Sequence, residues 1–137
     1  IAFGVSGIGE VEAGFFQNER KLSTYYAALD AGHLPIQRGY RLDDDDRLRQ
    51  YVIRQLMCNF AVDKGEVAAR FGVDFDAYFA GALAKLDEPR EAGLCVDAGS
   101  RLEVTERGRL FVRIVCMAFD RYLEAKKPDK PVFSRTV

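Results

Sequence analysis

Histidine and cysteine are scarce in this sequence: one of the first and three of the second in 137 residues. The single histidine, His33, falls in a connector beside Pro35, the setting of a surface residue rather than of a catalyst or metal ligand. Cys58, Cys95 and Cys116 are odd in number and far apart, and two of them fall in apolar helical patterns. That excludes a disulfide framework or a metal knuckle and suits buried, reduced thiols of a cytoplasmic protein. No apolar run is long enough and free enough of charge to span a bilayer, and no basic-then-apolar signal opens the chain. Neither sign of charge is in excess. With 20 basic and 21 acidic side chains the net charge is -1, which gives no pull toward nucleic acid or an anionic membrane. Residues that are 48% apolar and 30% charged suffice for one domain with a real core and exclude a disordered chain.

What the sequence does have is one strongly apolar stretch, Thr105 to Leu123. Thr105 with Glu106 behind it has the chemistry of a helix start, a hydroxyl cap and then an acid near the positive end of the dipole. Phe111, Ile114, Val115, Ala118 and Tyr122 follow the three–four spacing, and Val112, Cys116, Phe119 and Leu123 make a second stripe. A helix wet on one side needs one stripe, so the pattern predicts a central helix buried on most of its circumference. Arg113 and Asp120 interrupt it, one above the other. A buried guanidinium cannot shed its charge, so Arg113 requires an acid, either a protein carboxylate such as Asp120 or a ligand.

The chain opens inside an apolar run, Ile1 to Ile8, which reads as a buried strand ending in a glycine-rich turn with Gly4, Gly7 and Gly9. A natural protein seldom starts within a strand, so we expect a piece of something longer. The glycines allow close approach of a ligand or another backbone. No helix pattern follows directly, and Glu10 and Glu12 would repel a phosphate, so the turn is not a dinucleotide fingerprint. Phe15 to Glu19 reads as a loop. Lys21 to Ala31 reads as a short helix with Leu22, Tyr25, Tyr26 and Leu29 inward and Gly32 as its stop. Tyr40 to Leu42 is a short strand leading into a second domain. Asp43 to Asp46 is the acidic N terminus of a helix that runs to about Phe60, since consecutive acids on a helix point apart and cannot converge on one ion.

Two more helices follow, Lys64 to Phe71 and Asp74 to about Leu86. A hairpin comes next, with strands Leu94 to Val96 and Leu102 to Val104 flanking Asp97-Ala98-Gly99-Ser100. Three helices, a two-stranded wing and a helix make a winged-helix arrangement. The fold class is mainly α (α+β), a winged-helix-like domain with a short β-hairpin over residues 41–137. The would-be recognition helix and its extension carry Asp74, Asp76, Asp87, Glu88 and Glu91 against Lys85 and Arg90. A polyanion would be repelled, so the unit is expected to be a packing module with no nucleic-acid partner. The tail from Lys126 has no helical period, and Phe133 can dock on the body and place Arg135.

GVSGIG, FFQNE with a downstream tyrosine pair, QRGYRL, QLMCNF, GRLFVRIVCMAFDRYL and a terminal FSR occur in this order. Together they resemble oxygen-independent coproporphyrinogen III oxidase, over essentially the whole chain but only the C-terminal third or so of such a protein. The resemblance implies a radical S-adenosylmethionine enzyme. A partial α/β barrel holds a 4Fe-4S cluster on three cysteines, and reductive cleavage of S-adenosylmethionine gives a 5'-deoxyadenosyl radical. Hydrogen abstraction from two propionates of coproporphyrinogen III and loss of CO2 leave vinyl groups. The product is protoporphyrinogen IX, made for haem biosynthesis in the cytoplasm without oxygen. The three-cysteine motif is absent here, so neither metal ligands nor catalytic residues are expected in this chain, and the chain alone is expected to be inactive.

By the same resemblance, residues 1–40 are the last strand, loop, helix and connector of a truncated α/β barrel, and residues 41–137 close its mouth. Gly4, Ser6, Gly7 and Ile8 lie by a second S-adenosylmethionine, with Ile8 in direct contact through backbone and packing. The missing N-terminal barrel is a partner, as is coproporphyrinogen III; a membrane is not. Four substrate propionates demand arginine or lysine. The basic residues in odd settings are Arg38 in a connector, Arg113 in an apolar helix and Arg135 in an aromatic-led tail. Two other readings stay open: an acidic winged-helix module that binds DNA or protein, and a relative that delivers haem without this oxidation.

Overall fold

The glycines at the start of the chain bend the backbone instead of ending a strand. In the computed structural model, which describes residues 2–125, Gly4 (φ 88°) and Ser6 (φ 56°) are left-handed. Left-handed residues turn a chain where a strand needs extended ones. The first strand therefore begins where the expected one ends: β1 is Ile8–Val11. β2, Gly14–Asn18, occupies the stretch expected to be a loop, where adjacent phenylalanines favour an extended backbone. α1, Leu22–Asp30, stops at Gly32 (φ 74°), and β3, Ile36–Arg41, starts earlier than expected. The three strands are antiparallel in the order β1-β2-β3. Gly14 is needed because β3 runs close by: a Cβ there would overlap the Tyr40 carbonyl. Leu22, Tyr26 and Leu29, expected inward on α1, are exposed and Tyr25 is half-buried. The apolar spacing marks a face but does not supply a partner for it.

The chain divides into two compact units, Ile1–Arg47 and Leu48–Val137, and the division falls inside α2, Asp44–Asn59. The four-acid run starts this helix on a reciprocal cap. Asp43 Oδ1 accepts the Asp46 N–H at 2.8 Å, and Asp46 Oδ2 accepts that of Asp43 at 3.1 Å. Leu48, Val52 and Leu56, one turn apart, form the buried face of α2. Phe60, at φ 58°, turns the chain into β4, Ala61–Asp63, a strand too short for its pattern to reveal. Asp63 caps α3, Lys64–Phe71, through the Glu66 N–H at 2.9 Å, and Gly72 (φ 70°) stops it.

Asp74 caps the next segment through the Ala77 N–H at 2.8 Å. The single helix expected there is divided into α4 (Phe75–Tyr78), α5 (Ala80–Ala84) and α6 (Asp87–Glu91). Pro89 has no N–H for the Lys85 carbonyl, so one continuous helix cannot run through it. Phe75, Phe79, Ala82 and Leu86 still reach the core. β5, Cys95–Asp97, and β6, Arg101–Val104, form the expected hairpin, and β6 also pairs with β4 to give the order β4-β6-β5.

The largest departure lies in the apolar stretch. It is not one buried helix but a 3-10 turn at Arg107–Phe111, then α7, Val112–Met117, then α8, Arg121–Ala125. Thr105 does cap it: Oγ1 accepts the Gly108 N–H at 3.0 Å and donates to the Gly93 carbonyl at 2.7 Å. The later break is local chemistry, because Asp120 Oδ1 accepts the Tyr122 N–H at 2.8 Å and so caps α8. One face is buried, Val115 and Ala118 from the first expected stripe with Cys116 and Phe119 from the second, whereas Leu110 is 87% and Met117 55% exposed. Phe119 meets Phe79 edge-on, with ring centroids 5.2 Å apart. Among the described residues no helix is long and apolar enough to cross a membrane.

Candidate functional site

In the first unit, the glycine-rich loop and one face of the sheet meet at Ile8. Asn18, 3% exposed, holds the loop in shape. Its Nδ2 donates to the carbonyls of Ala2 (3.1 Å) and Gly4 (3.0 Å), and its backbone N–H donates to Gly7 (2.9 Å). The Ser6 N–H goes to the Glu19 carbonyl at 2.8 Å and the Gly4 N–H to the Tyr25 hydroxyl at 3.1 Å. The polar backbone of Gly4, Ser6 and Gly7 is thus largely engaged within the unit, so the loop does not offer a nest of free amides to an anion. It offers the side chain of Ile8, 67% exposed.

Residues opposite one another in a sheet share a face, and so do alternate residues along a strand. Ile8 lies opposite Gln17 and Gln17 opposite Arg38, while Phe15 and Tyr40 form a parallel row on the same face. These five residues line a cavity of about 310 Å³, with Phe16 and Gly39. Arg38 Nε donates to Gln17 Oε1 at 2.9 Å, and Gln17 Nε2 donates to the Ser6 carbonyl at 3.3 Å. Arg38 is exposed and forms no ion pair among the described residues. Two residues that the sequence singles out for separate reasons, Ile8 and Arg38, therefore face one cavity. Gln17, Asn18 and Tyr25 complete the arrangement. Gln17 and Asn18 leave no trace in the sequence beyond their place in the FFQNE motif, and Tyr25 is marked only by the tyrosine pair and its place on the apolar face of α1.

Arg113 belongs to the second unit. It is exposed on α7 and makes no ion pair among the described residues, while Asp120 serves as a helix cap instead. With the expected burial gone, the expected need for an acid goes too. Arg135 lies outside the described residues. Cys58 is exposed, and Cys95 and Cys116 are buried. Burial pushes the Cys116 thiol up to about 11 and raises that of Cys95. A cluster ligand must be a thiolate, and no three metal-binding side chains lie together among the described residues. These cysteines do not fit an iron–sulfur cluster.

A small antiparallel sheet with its helix, followed by a helical unit carrying a second three-stranded sheet, is the architecture of one region of a known enzyme class. The HemN C-terminal domain family matches residues 42–111, and the chain belongs to that family. It is 43% identical over 127 residues to the oxygen-independent coproporphyrinogen III oxidase of Thermostichus vulcanus, covering 92% of this chain and 39% of that protein. The enzyme of the same name from Helicobacter pylori (strain ATCC 700392 / 26695) is 40% identical over 137 residues, covering 100% of this chain and 29% of its own. Among solved structures, the coproporphyrinogen III oxidase (HemN) of Escherichia coli, described as a radical SAM enzyme, matches with a TM-score of 0.82 at 35% identity. That match covers 88% of this chain and 28% of the other. The chain thus spans about a third of the length of the relatives it matches.

Proposed function

We propose that this chain is the C-terminal part of an oxygen-independent coproporphyrinogen III oxidase. That enzyme converts two propionates of coproporphyrinogen III to vinyl groups by oxidative decarboxylation, giving protoporphyrinogen IX in haem biosynthesis. The observation that carries the reading is the TM-score of 0.82 at 35% identity, over 88% of the chain, with the Escherichia coli enzyme. Residues 1–40 are then the end of a partial α/β barrel and residues 41–137 its C-terminal domain. The family match starting at residue 42 supports that boundary. The order from α2 to β6, helix, strand, helix, divided helix and hairpin, with β6 between β4 and β5, supports a winged-helix description of the second part.

S-adenosylmethionine and an iron–sulfur cluster supply the hydrogen abstraction, and the cysteines of this chain leave the cluster to the rest of the protein. The residues here bind and position. Ile8 offers S-adenosylmethionine an apolar contact, and Gly4, Ser6 and Gly7 hold Ile8 in place through the bonds to Asn18, Glu19 and Tyr25. The acidic α4 to α6 segment argues against DNA as a partner.

An anaerobic assay of the intact protein that carries this chain, with reductant and S-adenosylmethionine, should convert coproporphyrinogen III to protoporphyrinogen IX. The 137-residue chain alone should not. Tight haem binding by the intact protein without conversion would make it a haem-delivering relative. Retarded DNA at low salt without porphyrin chemistry would make it a nucleic-acid module.

A further inference from the structure

An amide side chain has one accepting and one donating end, and Gln17 uses both. Its oxygen faces Arg38 Nε and its nitrogen faces the Ser6 carbonyl. The amide cannot be turned around, since a guanidinium nitrogen only donates and a carbonyl only accepts. Arg38 is therefore held by one edge, through Nε. Its two terminal nitrogens have no partner among the described residues. None of the residues lining the cavity is acidic, and Ile8 and Phe15 make its walls apolar beside the Tyr40 ring. An anionic group on an apolar body suits such a lining.

We propose that Gln17 and Arg38 form a carboxylate clamp, in which Arg38 takes one propionate of the porphyrinogen through its two terminal nitrogens and Gln17 is the positioning residue that fixes the guanidinium. The inference rests on the functional reading above and deepens it. The carboxylate of S-adenosylmethionine is the other source of the same chemistry. It carries an ammonium beside it, and the acid on this face, Glu10, stands in the row of Phe15 and Tyr40, outside the cavity lining. The Ser6–Gln17–Arg38 chain of bonds sets the anchored propionate beside Ile8, the residue proposed to touch S-adenosylmethionine.

The test uses the intact protein, with coproporphyrin III, the stable oxidised form of the substrate, titrated by fluorescence, and S-adenosylmethionine measured by equilibrium dialysis. Arg38→Gln should weaken coproporphyrin III binding about tenfold or more, the usual loss for a hydrogen bond to a charged group. Arg38→Lys should recover only part of it, because an ammonium cannot fork onto a carboxylate. Gln17→Leu should raise KM about threefold or more with kcat within about twofold, as loss of positioning rather than of chemistry. S-adenosylmethionine affinity should hold in all three, and coproporphyrin tetramethyl ester should bind wild type and Arg38→Gln alike. Wild-type affinity for coproporphyrin III in Arg38→Gln and Arg38→Lys overturns the clamp, and so does a loss of S-adenosylmethionine binding in its place. A wild-type protein that neither binds coproporphyrin III nor converts the porphyrinogen overturns the functional reading itself, and the clamp with it.

Discussion

Lys64 tests the account of the second unit most sharply. Its side chain is 10% exposed, and its ammonium lies 2.7 Å from Asp76 Oδ1 and 2.9 Å from Asp97 Oδ1. Lys64→Met keeps an unbranched apolar stem and removes the ammonium, which also lies 5.8 Å from the centre of the Phe75 ring. At an effective dielectric of about 20, each contact carries roughly 6 kcal/mol of Coulomb attraction, most of it offset by desolvation. The substitution leaves two facing carboxylates. Asp76, 60% exposed, can turn to water, and Asp97, 30% exposed, keeps the Gly99 N–H at 3.1 Å and Arg90 at 3.8 Å. Stripping one partner from a fully buried pair costs about 3–5 kcal/mol; with both acids partly wet, about 1–3 kcal/mol is expected here.

The pH dependence follows from the same contacts. Burial pushes the Asp97 carboxyl up, but the Lys64 hydrogen bond, the Gly99 amide and the charges of Lys64 and Arg90 outweigh it and hold the group below its ordinary value. Folded Asp97 binds a proton less readily than unfolded Asp97. Its contribution is therefore present above about pH 4 and is lost as pH falls through the folded value. Without Lys64, burial is opposed by less, so the acid limb of stability should begin at higher pH in the variant. Lys64 itself is pushed down by burial but raised further by hydrogen bonds to Asp76 and Asp97. Its share of the stability is thus lost only in strong alkali. The chain has no tryptophan, so urea denaturation is followed by far-ultraviolet circular dichroism across the acid range. A loss below about 0.5 kcal/mol, the size of an exposed pair, together with an unmoved acid limb would refute the reasoning.

Two further outcomes follow. Asn18→Ala leaves the Ala2 and Gly4 carbonyls without their side-chain donor, which should cost about 1–3 kcal/mol. It should also speed hydrogen exchange at the Ser6 and Gly7 amides, and unchanged rates there would mean that Asn18 does not hold the loop. Iodoacetamide near neutral pH should label Cys58 and spare Cys95 and Cys116, whose burial keeps them protonated and shielded. All three should label in urea, and mass spectrometry reads the difference directly.

The elements that could be read from the sequence are those whose causes are neighbours in the chain. The acidic helix start at Asp43–Asp46, the Asp74 cap, the Thr105 cap and the stops at Gly32 and Gly72 each depend on a side chain or a missing one within a turn. What stayed hidden depends on partners far off. Two apolar stripes between Thr105 and Leu123 look alike in the sequence, yet only part of each, Val115 and Ala118 from the first and Cys116 and Phe119 from the second, finds a core to enter. Asp120 has the right spacing to pair with Arg113, but the amide two residues on is nearer and takes it. β4 has three residues and exists because β6 pairs with it across the length of the domain.

The proposed site shows the same limit in its most instructive form. Ile8 and Arg38 are thirty residues apart, and only the register, Ile8 opposite Gln17 and Gln17 opposite Arg38, sets them in one row. A slip of one residue would send Arg38 to the other face. The pairing of β2 with β3 does become irregular directly beyond that row, where Asn18 faces Ile36 and Gln37 is left over. Strand alternation sends the two successive amides to opposite faces. Gln17 reaches the cavity and holds the arginine, and Asn18 reaches the loop and holds the turn that ends at Ile8. Neither amide is distinctive as a residue type. Each acquires a role only once the fold has decided which face it meets, so the positioning groups of the site are the part that a reading of residue types could not find.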